Sequence, residues 1–141
     1  MLAADFDLSL HPAVEGFLLT AEKQGADYRL SLRDRSSPAL PLHELLLLTL
    51  PQDVSIAGSS GNDSLWIDFS AVTTVDVNGN FNDVVPASIS IDGLAGTDEV
   101  RFTGHTAVTG NWIVNAETIL VGAGNYLTGG TDIQLIAAAD L

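Results

Sequence analysis

The stretch Val54-Ser55-Ile56-Ala57-Gly58-Ser59-Ser60-Gly61-Asn62-Asp63-Ser64-Leu65-Trp66-Ile67-Asp68-Phe69 decides the reading of this chain. Its second half alternates strictly. Leu65, Ile67 and Phe69 share one face, and Ser64, Trp66 and Asp68 share the other, the period of two of a half-buried strand. A short β-rich run, 54–57, precedes it. Between the two lies a cluster of Gly, Ser, Asn and Asp, residues suited to tight turns. Strand, turn, strand is the local reading.

Working outward, the same texture recurs to the end of the chain. β-rich runs at 54–57, 64–69, 72–77, 87–91, 99–103, 112–114, 118–121 and 133–136 are separated by Gly, Asn, Asp and Ser clusters. Ile89 with Ile91, Val100 with Phe102 and Ile133 with Leu135 repeat the alternation, and Trp112 shares a core face with Val114. No helix-period segment competes. Such regular punctuation suits an all-β sandwich, barrel or solenoid. We expect a right-handed parallel β-solenoid, with an antiparallel β-sandwich as the alternative. Three features favour the solenoid: strand-like texture through 132–139, as if continuing in a longer parent; corners dominated by Asn, Gly and Thr; and a recurring glycine–aspartate turn.

Toward the N-terminus the pattern changes. Residues 16–34 read as a hairpin turning at Gln24-Gly25-Ala26-Asp27, with Tyr28, Leu30 and Leu32 alternating with Arg29, Ser31 and Arg33. Arg35-Ser36-Ser37-Pro38 reads as a loop. The leucine-rich run 42–50 is ambiguous between helix and strand, and its bracketing prolines favour strand. The expected organisation is a hairpin capping segment over residues 1–51 and solenoid coils over 52–141. A cap suits an open solenoid end, which exposes strand edges and core.

The 141 residues amount to one domain and carry 18 acids against 5 bases, a net charge of −13. The excess is uneven: residues 1–50 hold seven acids and four bases, residues 51–141 eleven acids and one base, Arg101. This argues against nucleic acid and anionic membranes as partners. Zero cysteines exclude disulfides and thiolate sites. The run 40–50 is too short to span a bilayer, and no signal peptide is recognisable.

Two segments match the nonapeptide pattern of a calcium β-roll except at its second glycine. They begin at Gly58, with Asp63 as the acid, and at Gly93, with Asp98, 35 residues apart. Two readings stay open. The aspartates bond backbone amides at strand-entry turns, or they are Ca²⁺ ligands. A fainter echo at 122–127 has no aspartate.

These segments also carry a resemblance. Met1-Leu2-Ala3-Ala4-Asp5, the hairpin, the stretch opening at Val54, Ile89-Ser90-Ile91-Asp92-Gly93-Leu94-Ala95-Gly96-Thr97-Asp98-Glu99-Val100 and the closing Asn125-Tyr126-Leu127-Thr128-Gly129-Gly130-Thr131-Asp132-Ile133-Gln134-Leu135 together resemble the N-terminal region of large secreted bacterial LEPR-XLL-type proteins. Those chains continue into RTX-like calcium-roll or filamentous-haemagglutinin-like repeats. The Leu-Glu-Pro-Arg tetrapeptide of that family is absent here. The resemblance implies an extracellular or bacterial cell-surface location and an adhesin-type parent chain.

Catalytic motifs are missing: no nucleophile elbow, dinucleotide fingerprint, P-loop or zinc-protease helix occurs, and His11, His43 and His105 lack metal-ligand spacing. Asp63, Asp68, Asp76, Asp83, Asp92 and Asp98 lining one face would suit a polysaccharide-active β-helix, but Arg101 is the only cation that half offers. Trp66 beside Asp68 suits a glycan or partner surface, or else a site covered by the hairpin. The expectation is a non-enzymatic structural module without cofactor. Its partner is the rest of a longer chain or a second copy. The alternatives are a Ca²⁺- or glycan-binding module, whose partner is a surface glycan or host protein, and a fragment of a polysaccharide-active enzyme.

Overall fold

A computed structural model describes residues 5–25, 27–47, 52–59, 61–72, 77–78, 84–93, 97–121, 127–128 and 133–137. The described elements are all-β apart from one 3-10 turn, Leu8–Leu10. In chain order the strands are β1 (Phe6–Asp7), β2 (Phe17–Gln24), β3 (Asp27–Asp34), β4 (Ser37–Leu47), β5 (Gln52–Ala57), β6 (Ser64–Asp68) and β7 (Ala87–Asp92). They continue with β8 (Glu99–Phe102), β9 (Thr106–Ala107), β10 (Trp112–Ala116), β11 (Thr118–Val121), β12 (Leu127–Thr128) and β13 (Ile133–Ala137).

Two open sheets carry the fold. The first has the order β1-β5-β7-β10-β13 and is parallel throughout. The second has the order β11-β8-β6-β2-β3-β4 and is mixed: β2, β6, β8 and β11 are parallel, and β2-β3-β4 is an antiparallel meander. A third, small pair joins β9 to β12, beside a bridge between Val85 and Val108. From β5 to β8 the chain alternates between the two large sheets, and parallel neighbours require such crossovers. The antiparallel pairing that a sandwich would need is confined to β2-β3-β4.

Register follows the alternation seen in the sequence. Val54 pairs with Ile89 and Leu65 with Val100, so both sheets share a register step of 35 residues here. Ile89 then pairs with Trp112 and Val100 with Ile119, a shorter step. Every inward position of β6, β7, β8 and β10 is apolar and buried, as are Val54 and Ile56 of β5; Gln52, in phase with them at the start of β5, is exposed. The core centres on Trp112, fully buried, with the Phe102 ring edge-on at 5.2 Å and Phe69 at 6.2 Å. Such aromatic pairs add to the area they bury.

The hairpin stands as expected: β2 and β3 pair from Phe17 with Asp34 to Gln24 with Asp27, and Gly25 takes the positive φ of the turn. It adds edge-on to β6, with Phe17 opposite Leu65. Phe6 and Phe17 bury in the same core as Ile56 and Leu65.

Three details differ from the sequence reading, at 35–38, at Val72 and at Ser31, while the leucine run agrees with the strand reading as far as it is described. The loop at 35–38 is a two-residue turn, because Ser37 and Pro38 already belong to β4 behind a register shift at Arg33. Proline is tolerated there on an edge strand. The leucine run is strand to Leu47, and 48–50 lie outside the described residues. Val72 sits in a turn, and 73–76 lie outside the described residues, as do Asp83 and the echo at 122–126. Ser31, expected on a polar face, is buried between Leu30 and Leu32.

Candidate functional site

The two glycine–aspartate segments meet. Because 35 residues is also the register step of both sheets, Gly58 and Asp63 stack directly on Gly93 and Asp98. The Gly58 amide donates to the Asp92 carbonyl (2.8 Å), and the Glu99 amide donates to the Asp63 carbonyl (2.8 Å). One circuit further, the Gly93 amide donates to the Asn115 carbonyl and the Thr118 amide to the Asp98 carbonyl. There the corner between β10 and β11 is cut to Glu117 alone, which stands where the aspartates stood.

Asp63, Asp98 and Glu117 thus form a column at the corner between the sheets. The Asp63 amide donates to Asp98 Oδ1 (2.9 Å), and the Asp98 amide donates to Glu117 Oε2 (2.9 Å). Each carboxylate holds the amide of the acid before it. Asp63 itself accepts from the Ser59 amide at Oδ2 (2.7 Å) and from the Ser59 hydroxyl at Oδ1 (2.8 Å), and Asn62 Oδ1 accepts from the Thr97 amide. Carboxylates folded back over the turn explain the glycines. A Cβ on Gly58 would lie 2.5 Å from the Gly93 carbonyl oxygen and 2.7 Å from Asp63 Oδ2, and one on Gly93 would meet the Asp98 carboxylate.

The column is electrostatically uneven. Asp98 is 2% exposed, and its Oδ2 is buried without a hydrogen-bond partner. Burial first, and then the like charges of Asp63 and Glu117, push its carboxyl up to about 6, although the bond from the Asp63 amide pulls the other way. Among the described residues no group of three His, Asp or Glu side chains is arranged to hold a metal ion.

Trp66 and Asp68 lie on the outer face of β6. Arg35, from the β3–β4 turn, places its guanidinium 4.2 Å from the Trp66 ring centroid, and Arg101 of β8 lies at 5.4 Å. The indole N–H donates to Glu99 Oε1 (3.3 Å), Arg35 Nη1 donates to Ser64 Oγ, and Arg101 pairs with Glu99 at 3.4 Å. Burial lowers the Arg35 pKa from its ordinary value. The ring is therefore already stacked by cations from the N-terminal segment and from β8. Asp68 accepts from the Ser70 amide and hydroxyl, a local turn.

The acids do not share one face. Asp63 and Asp98 occupy the corner, Asp68 the outside of the second sheet and Asp92 the outer end of β7 in the first; Asp76 and Asp83 lie outside the described residues. The sequence reading missed two things: Glu117 as the third member of the column, and the polar outer face of the first sheet. The Ser88-Ile89-Ser90 alternation beside Asp53-Val54-Ser55 was the available signal for the second.

No family model, curated protein or solved structure matches this chain. No helix among the described residues is long and apolar enough to cross a membrane.

Proposed function

We propose that this chain is a non-enzymatic structural module: the capped first coils of a right-handed parallel β-solenoid belonging to a large secreted bacterial surface protein. The observation that carries the reading is how the leading edges of both sheets are covered. β1 pairs along β5, and β2 pairs along β6 with β3 and β4 beyond it, so neither β5 nor β6 presents a free edge on that side. Exposed parallel edges are templates for aggregation, and an antiparallel meander ending in an irregular, proline-bearing strand blunts them. Right-handed crossovers are the favoured connection between parallel strands. The stacked glycine–aspartate turns support coils of a common design. The surface location rests on the family resemblance.

Removing residues 1–50 tests the cap. The remainder is expected to aggregate, because the removal bares β5, β6 and the core faces of Ile56 and Leu65. A soluble, monomeric remainder would count against a capping role.

A second reading, Ca²⁺ binding at Asp63 and Asp98, is favoured by the unpartnered Asp98 Oδ2. Thermal melts in EDTA and in millimolar CaCl₂ separate the two. A ligand that binds only the folded chain raises its midpoint. The structural reading predicts no change. A rise that Asp63→Ala or Asp98→Ala abolishes would make the corner a cation site.

A further inference from the structure

We propose that this chain forms a two-fold dimer through the trailing edges of its two large sheets, β13 of each copy seated beside β11 of the other. The dimer deepens the structural-module reading and rests on the closed leading end described there. Strands of the two sheets follow one another along the chain: β1 is followed by β2, β5 by β6, β7 by β8 and β10 by β11. Among the described residues β13 has no such successor, so the first sheet runs one strand past the second. The place beyond β11 is therefore a step, and its floor is apolar. Val121 is 43% exposed, although its register partner Phe102 is fully buried. Ile119, level with buried Val100, is only partly covered, and Leu120 is exposed. The Thr118 amide is spent on the Asp98 carbonyl. Alternate residues of a strand direct their N–H and C=O groups to opposite edges, which points those of Ile119 and Val121 away from β8.

Charge and symmetry select a second copy as the occupant. All five bases lie on β2, β3, the turn after β3 and β8, and residues 118–137 hold one acid, Asp132, in a chain of net charge −13. Two such molecules repel over most of their surface and approach at least cost through this uncharged end. β11, Thr118-Ile119-Leu120-Val121, also lacks the prolines and charge that blunt β4 at the far edge of the same sheet. With the leading edges covered, a trailing edge meets only another trailing edge, and the assembly closes as a dimer. The step is self-complementary. β10 and β13 run toward the corner that Glu117 occupies, and β11 runs away from it. A two-fold axis through that corner exchanges the sheets, so β13 of one copy fills the step of the other, antiparallel to β11. Ile133 and Leu135 alternate in the sequence as Ile119 and Val121 do. Glu117 does not obstruct the contact, because its carboxylate is turned back to the Asp98 amide.

The test is sedimentation equilibrium and amide hydrogen exchange of the full chain from about 1 µM to about 1 mM, since two short strand pairs make an interface of the weak, concentration-dependent class. A monomer–dimer equilibrium is expected, with the Ile119 and Val121 amides and the outer amides of β13 gaining protection as dimer accumulates. Val121→Pro removes one of those donors and spares the bonds to β8, as proline at an outward edge position does. It is expected to raise the dissociation constant at least about tenfold. Leu120→Lys, at an exposed site, is expected to weaken the dimer with the melting midpoint of the monomer unchanged. A monomer across the whole range, or a dimer that both substitutions leave intact, would overturn the proposal and leave the cap standing. Filaments would overturn the cap as well, because they need an open leading edge. Protection of β11 without β13, or spontaneous disulfide-linked dimers of Leu120→Cys, would mean β11 against β11 and would overturn the stepped pairing.

Discussion

Asp98 is the residue at which the sequence pattern and the energetics of this chain meet. Its Oδ1 holds the Asp63 amide, and its Oδ2 is buried between like charges without a donor. A carboxyl whose folded pKa lies near 6, against 3.8 for the free group, binds more protons folded than unfolded between those values. Its contribution to stability is therefore greatest below about pH 4 and is lost as pH rises through about 6. Asp98→Asn keeps the acceptor for the Asp63 amide and supplies a donor where repulsion stood. The variant is expected to exceed the parent in stability by on the order of 2–3 kcal/mol at pH 8, with the gap closing toward pH 4. Urea unfolding of both proteins across that range checks it, and a gap independent of pH would contradict it. The pairing of glycine with aspartate was legible in the sequence; the strain on Asp98 was not. It arises first from burial at the corner and then from Asp63 and Glu117, which lie 35 and 19 residues away along the chain.

At the scale of elements, alternation carried most of what could be read. Leu65, Ile67 and Phe69 announced β6, and Val100 and Phe102 announced β8, because one apolar face buries and the other meets solvent. The two-residue strands β1 and β9 gave no such signal: they are too short for a period to show, and pairing partners far away in the chain define them. β4 escaped in part because its pairing with β3 shifts register at Arg33, which breaks the alternation. The corner between β5 and β6 is an element in its own right, with its glycine fixed by the fold. Gly58 takes part in a backbone bond across circuits, and a methyl there would press on the Gly93 carbonyl. Gly58→Ala is expected to cost about 1–3 kcal/mol by overpacking this contact. Chemical denaturation would show it as a lower midpoint at constant slope, whereas an unchanged midpoint would mean that the corner is loose.

At the scale of the molecule, the number 35 links sequence to architecture. Two similar turns at that spacing look isolated along the chain, since a calcium roll repeats its turns consecutively. In space they are neighbours, because the spacing equals the register step between neighbouring parallel strands in both sheets. Periodicity within a strand is local and readable; the register step between strands emerges only from pairing. The same arrangement segregates charge, leaving the first sheet acidic on its outer face and gathering the bases on the second.

The parallel register between β5 and β7 is the central claim, and the absence of native cysteine allows a direct test. In the double variant Ser55→Cys/Ser90→Cys the two outward positions pair as direct neighbours. Parallel neighbours at the strand spacing of about 4.8 Å fall within the Cα separation a disulfide or short thiol cross-linker can bridge. The account predicts rapid, near-complete intramolecular cross-linking of this pair. It also predicts none for Ser55→Cys/Leu120→Cys, whose positions lie in different sheets. Failure of the first pair to cross-link, or equal cross-linking of both, would contradict it.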